Sequence, residues 1–484
     1  MAQAVDWSDF RDHIATAEKD GRRKWIYPRK VGGKFFRWRT WFSWLLLAIM
    51  FAGPFITIQG NPLLMMNIPE RKFVVLGQIF WPQDMIIFAI AVLVLFTSIV
   101  IFTAAFGRVW CGWACPQTVM MEMVFRKIEY FIEGDAHQQR ALNQEAWNVN
   151  KIFRKLSKHA IFYALSFLVG NVLLSYIIGW QQLYQIITDP PALHLVGLSF
   201  MIAFSLLFYG IFARFREQAC TFICPYGRFQ SVLLDENSIV VAYDHKRGET
   251  RAPLKHGLNF LERRQAGNGD CIACNQCVAV CPTGIDIRNG SQMDCIQCGL
   301  CIDACDTVMK KIGRETRLIG YDNDINIHRR QAGQPPVYRF VRSRTVVYSA
   351  MIAAVGAVML YAMLTRSLLD VNVLHDRNPV AVRLSDGSIR NAYTVRLLNK
   401  RGFDRVIAID IDGPKNATVH VIGTDSITPD RPMIILARDT TTELRVLVTA
   451  PAEDNPEKSI PVKFRITDIG LGEAASETDN FVSP

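Results

Sequence analysis

The chain reads as a multi-pass α-helical membrane protein that carries a cysteine-rich aqueous insert and ends in an all-β sandwich. Three observations lead there. Of 484 residues, 50% are hydrophobic and 20% charged, and the mean hydropathy is +0.14. That is too apolar for an average soluble enzyme and too polar for a bare helix bundle. Five long apolar runs approach the roughly 20 helical residues that cross a bilayer. All twelve cysteines lie between Cys111 and Cys305, so the last third of the chain has none.

Residues 1–40 form a basic segment with Arg22, Arg23, Lys24, Arg29, Lys30, Lys34, Arg37 and Arg39. No short apolar core with a small-residue cleavage site is present, so the chain is expected to start in the cytoplasm without a signal peptide. Residues 41–215 hold four expected spans, at 41–59, 85–105, 160–179 and 195–215, and a fifth follows at 346–365. Trp38, Trp41 and Trp44 mark the first entry as an aromatic belt, and Pro54 would kink that helix if it ran through. The chain carries 54 Lys and Arg against 44 Asp and Glu. This excess flanks the apolar runs, which points to a lipid bilayer rather than nucleic acid as the partner.

Loops 107–158 and 216–344 are basic, whereas 61–84 carries only Arg71 and Lys72, and 179–194 carries neither Lys nor Arg. The positive-inside rule therefore predicts a bacterial inner-membrane protein with the first group of loops cytoplasmic. An odd number of spans then leaves the tail in the periplasm. Cysteine placement agrees, because thiols stay reduced in the cytoplasm and the expected outer tail lacks them.

Loop 216–345 is too long for a connector. It contains two C-x2-C-x2-C-x3-C runs, Cys271, Cys274, Cys277 and Cys281, then Cys295, Cys298, Cys301 and Cys305. This is the spacing of bacterial two-cluster ferredoxins, in which three thiolates hold one 4Fe-4S cubane and the fourth reaches to its neighbour. Cys271, Cys274, Cys277 and Cys305 are thus expected on one cluster, and Cys295, Cys298, Cys301 and Cys281 on the other, within a domain over about 262–312. A zinc site would not need the extra cysteine in each run. The second run departs from the first in having Asp306 where Pro282 follows Cys281.

Two further pairs, Cys111 with Cys115 and Cys220 with Cys224, each read C-x3-C-P and follow the second and fourth spans. Proline there favours a helix start, which places the second cysteine of each pair at a helix N-terminus, where a thiol pKa is lowered. Four such soft ligands could meet near the membrane edge and take copper(I), zinc or a third iron–sulfur cluster. Inert buried thiols are the plain alternative. Met120 and Met123, with Met121 and Glu122 between them, add thioethers to this region, against the plain reading of core-facing methionines.

Residues 370–484 switch to β-branched alternation at 406–411, 419–421, 444–448 and 462–466, separated by turns such as Asp412-Gly413-Pro414. An immunoglobulin-like antiparallel sandwich is expected. His420 reads as a strand surface residue, and nothing in the tail suggests an active site.

This order of parts resembles the cytochrome c oxidase accessory protein family, membrane iron–sulfur proteins associated with cbb3-type oxidase assembly. The resemblance implies a cupric reductase that converts copper(II) to copper(I) on the cytoplasmic side. Cys111, Cys115, Cys220 and Cys224 would then handle copper, and the eight insert cysteines would hold two relay 4Fe-4S clusters. Copper ions, a copper chaperone or transporter and oxidase assembly factors are the implied partners, with a homodimer left open. Two alternatives stand beside it: a quinol-linked electron conduit, and an assembly scaffold whose clusters sense redox state. The chain has no phosphate-binding loop and no dinucleotide fingerprint, so its electrons must come from a partner or a diffusible donor.

Overall fold

In the computed structural model, the described residues are 16, 20, 22–58, 61–68, 72–75, 77–80, 85–254, 260–290, 292–422, 432–438, 440–451 and 459–483. They fall into two compact units. The first comprises Met1–Ile56, Pro62–Phe73 and Pro82–Met359, and the second Thr57–Asn61, Val74–Trp81 and Leu360–Pro484.

Five long helices organise the apolar runs: α1 Lys34–Ala52, α2 Met85–Phe106, α3 Val149–Ile178, α4 Leu195–Gly210 and α5 Ser343–Leu364. Among the described residues, four are long and apolar enough to cross a membrane: α2 from Ile86, α3, α4 continued to Phe215, and α5. The first expected span differs. α1 begins seven residues early, its first two turns carry Lys34, Arg37 and Arg39, and a 3-10 turn at Gly53–Phe55 containing Pro54 ends it. Charge at one end and proline at the other leave its apolar stretch short.

α1 nonetheless reaches α3 near the C-terminal end of both helices. The Tyr176 hydroxyl near the end of α3 donates to the Met50 carbonyl at 2.8 Å. Its buried stripe is Arg39, Ser43 and Leu47, at i, i+4 and i+8, while Trp41 and Trp44 face outward. The bundle closes around Phe125, which stacks on Phe212 at 4.3 Å and meets Phe162 edge-on at 5.0 Å.

The insert packs its cysteine loops against the helix Leu300–Lys311 and a two-stranded ribbon, β1 Val240–Tyr243 with β2 Ile319–Asp322. Asp303 on that helix reaches the start of α1, where its carboxylate accepts from the amides of Phe35 at 3.1 Å and Phe36 at 2.7 Å. A helix N-terminus has unpaired amides and a partial positive charge, and a carboxylate satisfies both. The insert and the first helix are fastened by this cap.

The second unit is the expected sandwich. Its strands are β3 Leu369–His375, β4 Val382–Arg383, β5 Ile389–Asn399, β6 Arg405–Asp412, β7 Thr418–Ile422, β8 Met433–Leu436, β9 Thr440–Ala450, β10 Ser459–Asp468 and β11 Ala474–Val482. One sheet runs β7-β9-β5-β3 with β4 paired to β5, and the other β8-β6-β10-β11. Tyr393, Val446, Phe464 and Phe481 fill the space between them. His420 is exposed on β7, as expected.

Asn391 ties the sheets by donating to the Val482 carbonyl at 3.0 Å and accepting from its amide at 3.1 Å. Arg405 is fully enclosed and pairs with Asp468 and Glu473. Burial pushes the Asp468 carboxyl up, but Arg405 and the amides of Gly470 and Leu471 outweigh it and hold it below the usual range. That pair therefore stabilises the sandwich above about pH 4 and is lost as pH falls through the depressed folded value. Arg405→Ala leaves Asp468 buried without its cation and should cost about 3–5 kcal/mol, read as a lower urea midpoint for protease cleavage within the tail of the full chain.

Candidate redox site

The two insert runs adopt the same local backbone. In the first, Ala273 and Asn275 flank Cys274 with φ of 50° and 55°; in the second, Gln297 and Gly299 flank Cys298 with φ of 54° and 78°. Left-handed residues on both sides of the central cysteine curl each run, and each then leads into a helix, at Gln276 and at Leu300. Asn and Gly tolerate this region; Ala273 and Gln297 are held there against their preference, a feature that clusters at functional sites.

The insert thiols lie near one another. The electrostatic neighbours of Cys305 are Cys277, Cys271 and Cys274, and those of Cys295 include Cys281 and Cys298. Cys277, Cys281, Cys295, Cys298 and Cys301 line one small void with Pro282, Thr283 and Ile285. Among the described residues, no three Cys, His, Asp or Glu side chains stand close enough to grip a single metal ion. A zinc ion needs four ligands about 2.3 Å away, whereas a cubane sets its thiolates further apart, so the donor set fits iron–sulfur clusters. Burial raises these thiols, Cys277 and Cys305 to about 12 and Cys298 to about 11. As free thiols they are protonated, and iron binding must expel the proton.

The four C-x3-C-P cysteines also converge. Burial, and after it the neighbouring thiols of Cys115, Cys111 and Cys224, push Cys220 up to about 12. Cys115 and Cys224 are N-caps of short helices starting at Pro116 and Pro225, as expected from the prolines. Burial raises the first member of each pair, Cys111 as well as Cys220.

A left-handed residue stands four positions ahead of each pair, Gly107 at φ 59° and Arg216 at φ 54°. π-helical turns occupy Met120–Phe125, Ile211–Phe215 and Ala219–Ile223, a form that recurs at functional sites. Met120 is enclosed in the bundle core beside Phe125 and Phe162, and Met123 is buried as well.

Sequence inspection missed what joins the two sites. The first thiol loop lies flat on the second cluster loop. The Arg108 amide donates to Gln297 Oε1 at 2.9 Å, and Arg39 Nε donates to the Gly112 carbonyl at 2.9 Å. Trp113 Nε1 donates to the Tyr321 hydroxyl at 3.0 Å, which donates to the Gln297 carbonyl at 2.6 Å. Gly112 permits this approach, for a Cβ there would sit 2.4 Å from the Ile296 carbonyl oxygen and 2.9 Å from Cys298 Cα.

Arg108 is buried, and its Nε and Nη1 have no hydrogen-bond partner. It sits within electrostatic reach of Cys111, Cys220 and Cys295. A lone buried guanidinium is costly unless an anion faces it. Metal–thiolate centres, if held by those cysteines, would supply that anion.

The second thiol loop is held differently, by buried charge. Arg216 pairs with Glu129, and Glu217 with Arg23 at 2.9 Å. Arg126 bridges Glu122 at 2.9 Å and Glu217 at 4.0 Å. Lys158 joins Glu129 and Glu133 at 3.5 and 2.9 Å.

Comparison with known proteins agrees with this division. The model of a 4Fe-4S dicluster domain matches residues 215–324, that of a 4Fe-4S binding domain matches 88–132, and that of the immunoglobulin-like fold at the C-terminus of FixG matches 359–484. Protein RdxA of Cereibacter sphaeroides is 37% identical over 456 residues, covering 92% of this chain and 94% of its own. The nitrogen fixation protein FixG of Rhizobium meliloti is 36% identical over 463 residues, 89% and 87% of the two chains. A crystal structure of a FixG-related protein from Vibrio parahaemolyticus covers 24% of this chain and 98% of its own, at 16% identity and a TM-score of 0.21.

Gly112→Ala should force the thiol loop off the cluster loop, at a cost of about 1–3 kcal/mol for overpacking. Anaerobically purified protein should then retain less iron per chain. Gly356→Ala in α5, where a Cβ meets nothing within 4 Å, should leave the iron content unchanged.

Proposed function

The chain belongs to the family of FixG, RdxA and RdxB, and from that footing we propose that this iron–sulfur redox protein passes electrons from its ferredoxin-like insert to copper(II) at the four membrane-edge thiols. The observation that carries the reading is the contact of Gly112 with the Ile296–Cys298 loop, which sets the two sulfur sites side by side. Two 4Fe-4S clusters, held by Cys271, Cys274, Cys277 and Cys305 and by Cys281, Cys295, Cys298 and Cys301, supply one-electron carriers when bound.

The protein's own residues do the rest. Cys111, Cys115, Cys220 and Cys224 offer soft donors that favour copper(I) over copper(II), which raises the potential of bound copper. Each copper(II) takes one electron and leaves as copper(I). Arg108 stabilises negative charge between the sites, and the backbone contact keeps their separation fixed. Five crossings by α1 to α5 would put the insert and thiols in the cytoplasm and the sandwich in the periplasm. Loop charge and the cysteine-free tail support that orientation. Delivery of copper(I) to a partner that assembles a cbb3-type oxidase extends the same reading.

One observation favours a second reading, in which the four thiols hold a third cluster: the 4Fe-4S binding model covers Cys111 and Cys115. Iron analysis of anaerobically purified protein separates the two. About eight irons per chain fits two cubanes with a free copper site, and about twelve fits three. Changing Cys111, Cys115, Cys220 and Cys224 to Ser should leave the insert's cluster spectrum intact and slow copper(I) production at least about tenfold, followed with a copper(I)-specific chelator dye. Equal rates in variant and parent would end the copper reading.

A further inference from the structure

Between the insert, the start of α1 and the helix that follows the first thiol loop lies a cavity of about 400 Å³, within the range of sites that take small cofactors. Its apolar wall includes Phe36, Met123, Val280 and Leu300. Val280 precedes Cys281, and Leu300 lies between Cys298 and Cys301, so the wall is the outer surface of one cluster cradle. Trp38, Trp41 and Trp44 are exposed on the same helix that supplies Phe36, which puts the cavity at the depth of a bilayer interface.

Its polar equipment is specific. Arg39 lines the cavity, is 1% exposed, and leaves Nη1 without a hydrogen-bond partner. Lys127 also lines it, with its ammonium 5.8 Å from the Phe36 ring and 5.9 Å from that of Trp44, and with no ion pair among the described residues. The carboxylate on the wall, Glu122, is engaged by Arg126 at 2.9 Å. The cavity therefore offers one unpartnered guanidinium nitrogen, Arg39 Nη1, and the Lys127 ammonium above an apolar, aromatic-lined floor. An occupant should be a flat apolar ring bearing oxygens that accept hydrogen bonds.

We propose that this cavity binds a membrane-soluble hydroquinone as the chain's electron donor. A hydroquinone leaves as the quinone, giving up two electrons and two protons. The electrons go one each to the two centres that the insert cysteines hold, and the protons go to water at the mouth, where Phe131 is 90% exposed. Arg39 and Lys127 are positioned to hold the two oxygens or to stabilise the anion formed as the first proton leaves. The inference rests on the electron-transfer reading above and names its source of electrons.

The test uses the full chain in phosphatidylcholine nanodiscs with decylubiquinol and decylubiquinone as probes. Parent protein should bind decylubiquinone with quenching of tryptophan fluorescence, and decylubiquinol should bleach the iron–sulfur absorbance. Lys127→Gln, and separately Met123→Trp to fill the cavity, should each weaken binding and slow bleaching at least about tenfold, while dithionite bleaches parent and variants equally. Binding unchanged in both variants, or no binding by the parent, overturns the proposal. So does protection of the site by phosphatidylglycerol but not by decylubiquinone, which would make it a lipid headgroup site. Re-oxidation of the iron–sulfur absorbance by copper(II), in protein reduced with dithionite and then desalted free of it, reports on the proposed function alone: its absence would sink that reading, while the quenching arm still decides this one.

Discussion

Everything in the first unit depends on one close approach of two backbones. Gly112 lies against Ile296 and Cys298 with no room for a methyl group, and Arg39 pins its carbonyl from beneath. A polar backbone contact this tight fixes distance far better than two facing side chains could, because neither partner has a rotamer to change. Electron transfer rewards that rigidity, since its rate falls steeply with separation. The same guanidinium belongs to the stripe by which α1 packs into the bundle and to the wall of the cavity. Helix, thiol loop and cluster loop are thus set by a common residue.

The two thiol loops reach their places by different physics. The first is laid down by backbone and amide hydrogen bonds to the insert, the second by a buried ionic lattice of Arg23, Glu217, Arg126, Glu129, Arg216 and Lys158. Buried pairs gain little net stability, because desolvation consumes most of the attraction, but losing one partner is severe. Such a lattice therefore specifies position more than it adds stability. Burial raises Cys111 and Cys220, which keeps them protonated until a metal displaces the proton.

Much of this was legible in the sequence because the signals were local. Cysteine spacing marked the insert as a 4Fe-4S dicluster domain, and proline after Cys115 and Cys224 located two helix starts to the residue. Alternation found β6, β7, β9 and β10. It passed over β11, Ala474–Val482, an edge strand whose lone fully buried apolar residue is Phe481. It also passed over β5, where a buried Asn391 interrupts the apolar series. α1 was placed too far along the chain because its first turns are basic. The Gly112 contact, the lattice and the cavity left no trace, since each is assembled from segments far apart in the chain. A basic residue such as Arg39 or Arg108, beside a tryptophan belt or a cysteine motif, looks like a headgroup contact until its burial is known.

The docking of the first thiol loop on a segment nearly two hundred residues downstream imposes an order on biosynthesis. A ribosome adds about 5–20 residues per second. Cys111 and Cys115 therefore emerge on the order of ten seconds before Cys298 exists to cover them. During that window the first thiol pair stands without the loop that later covers it, open to stray metal and to oxidants.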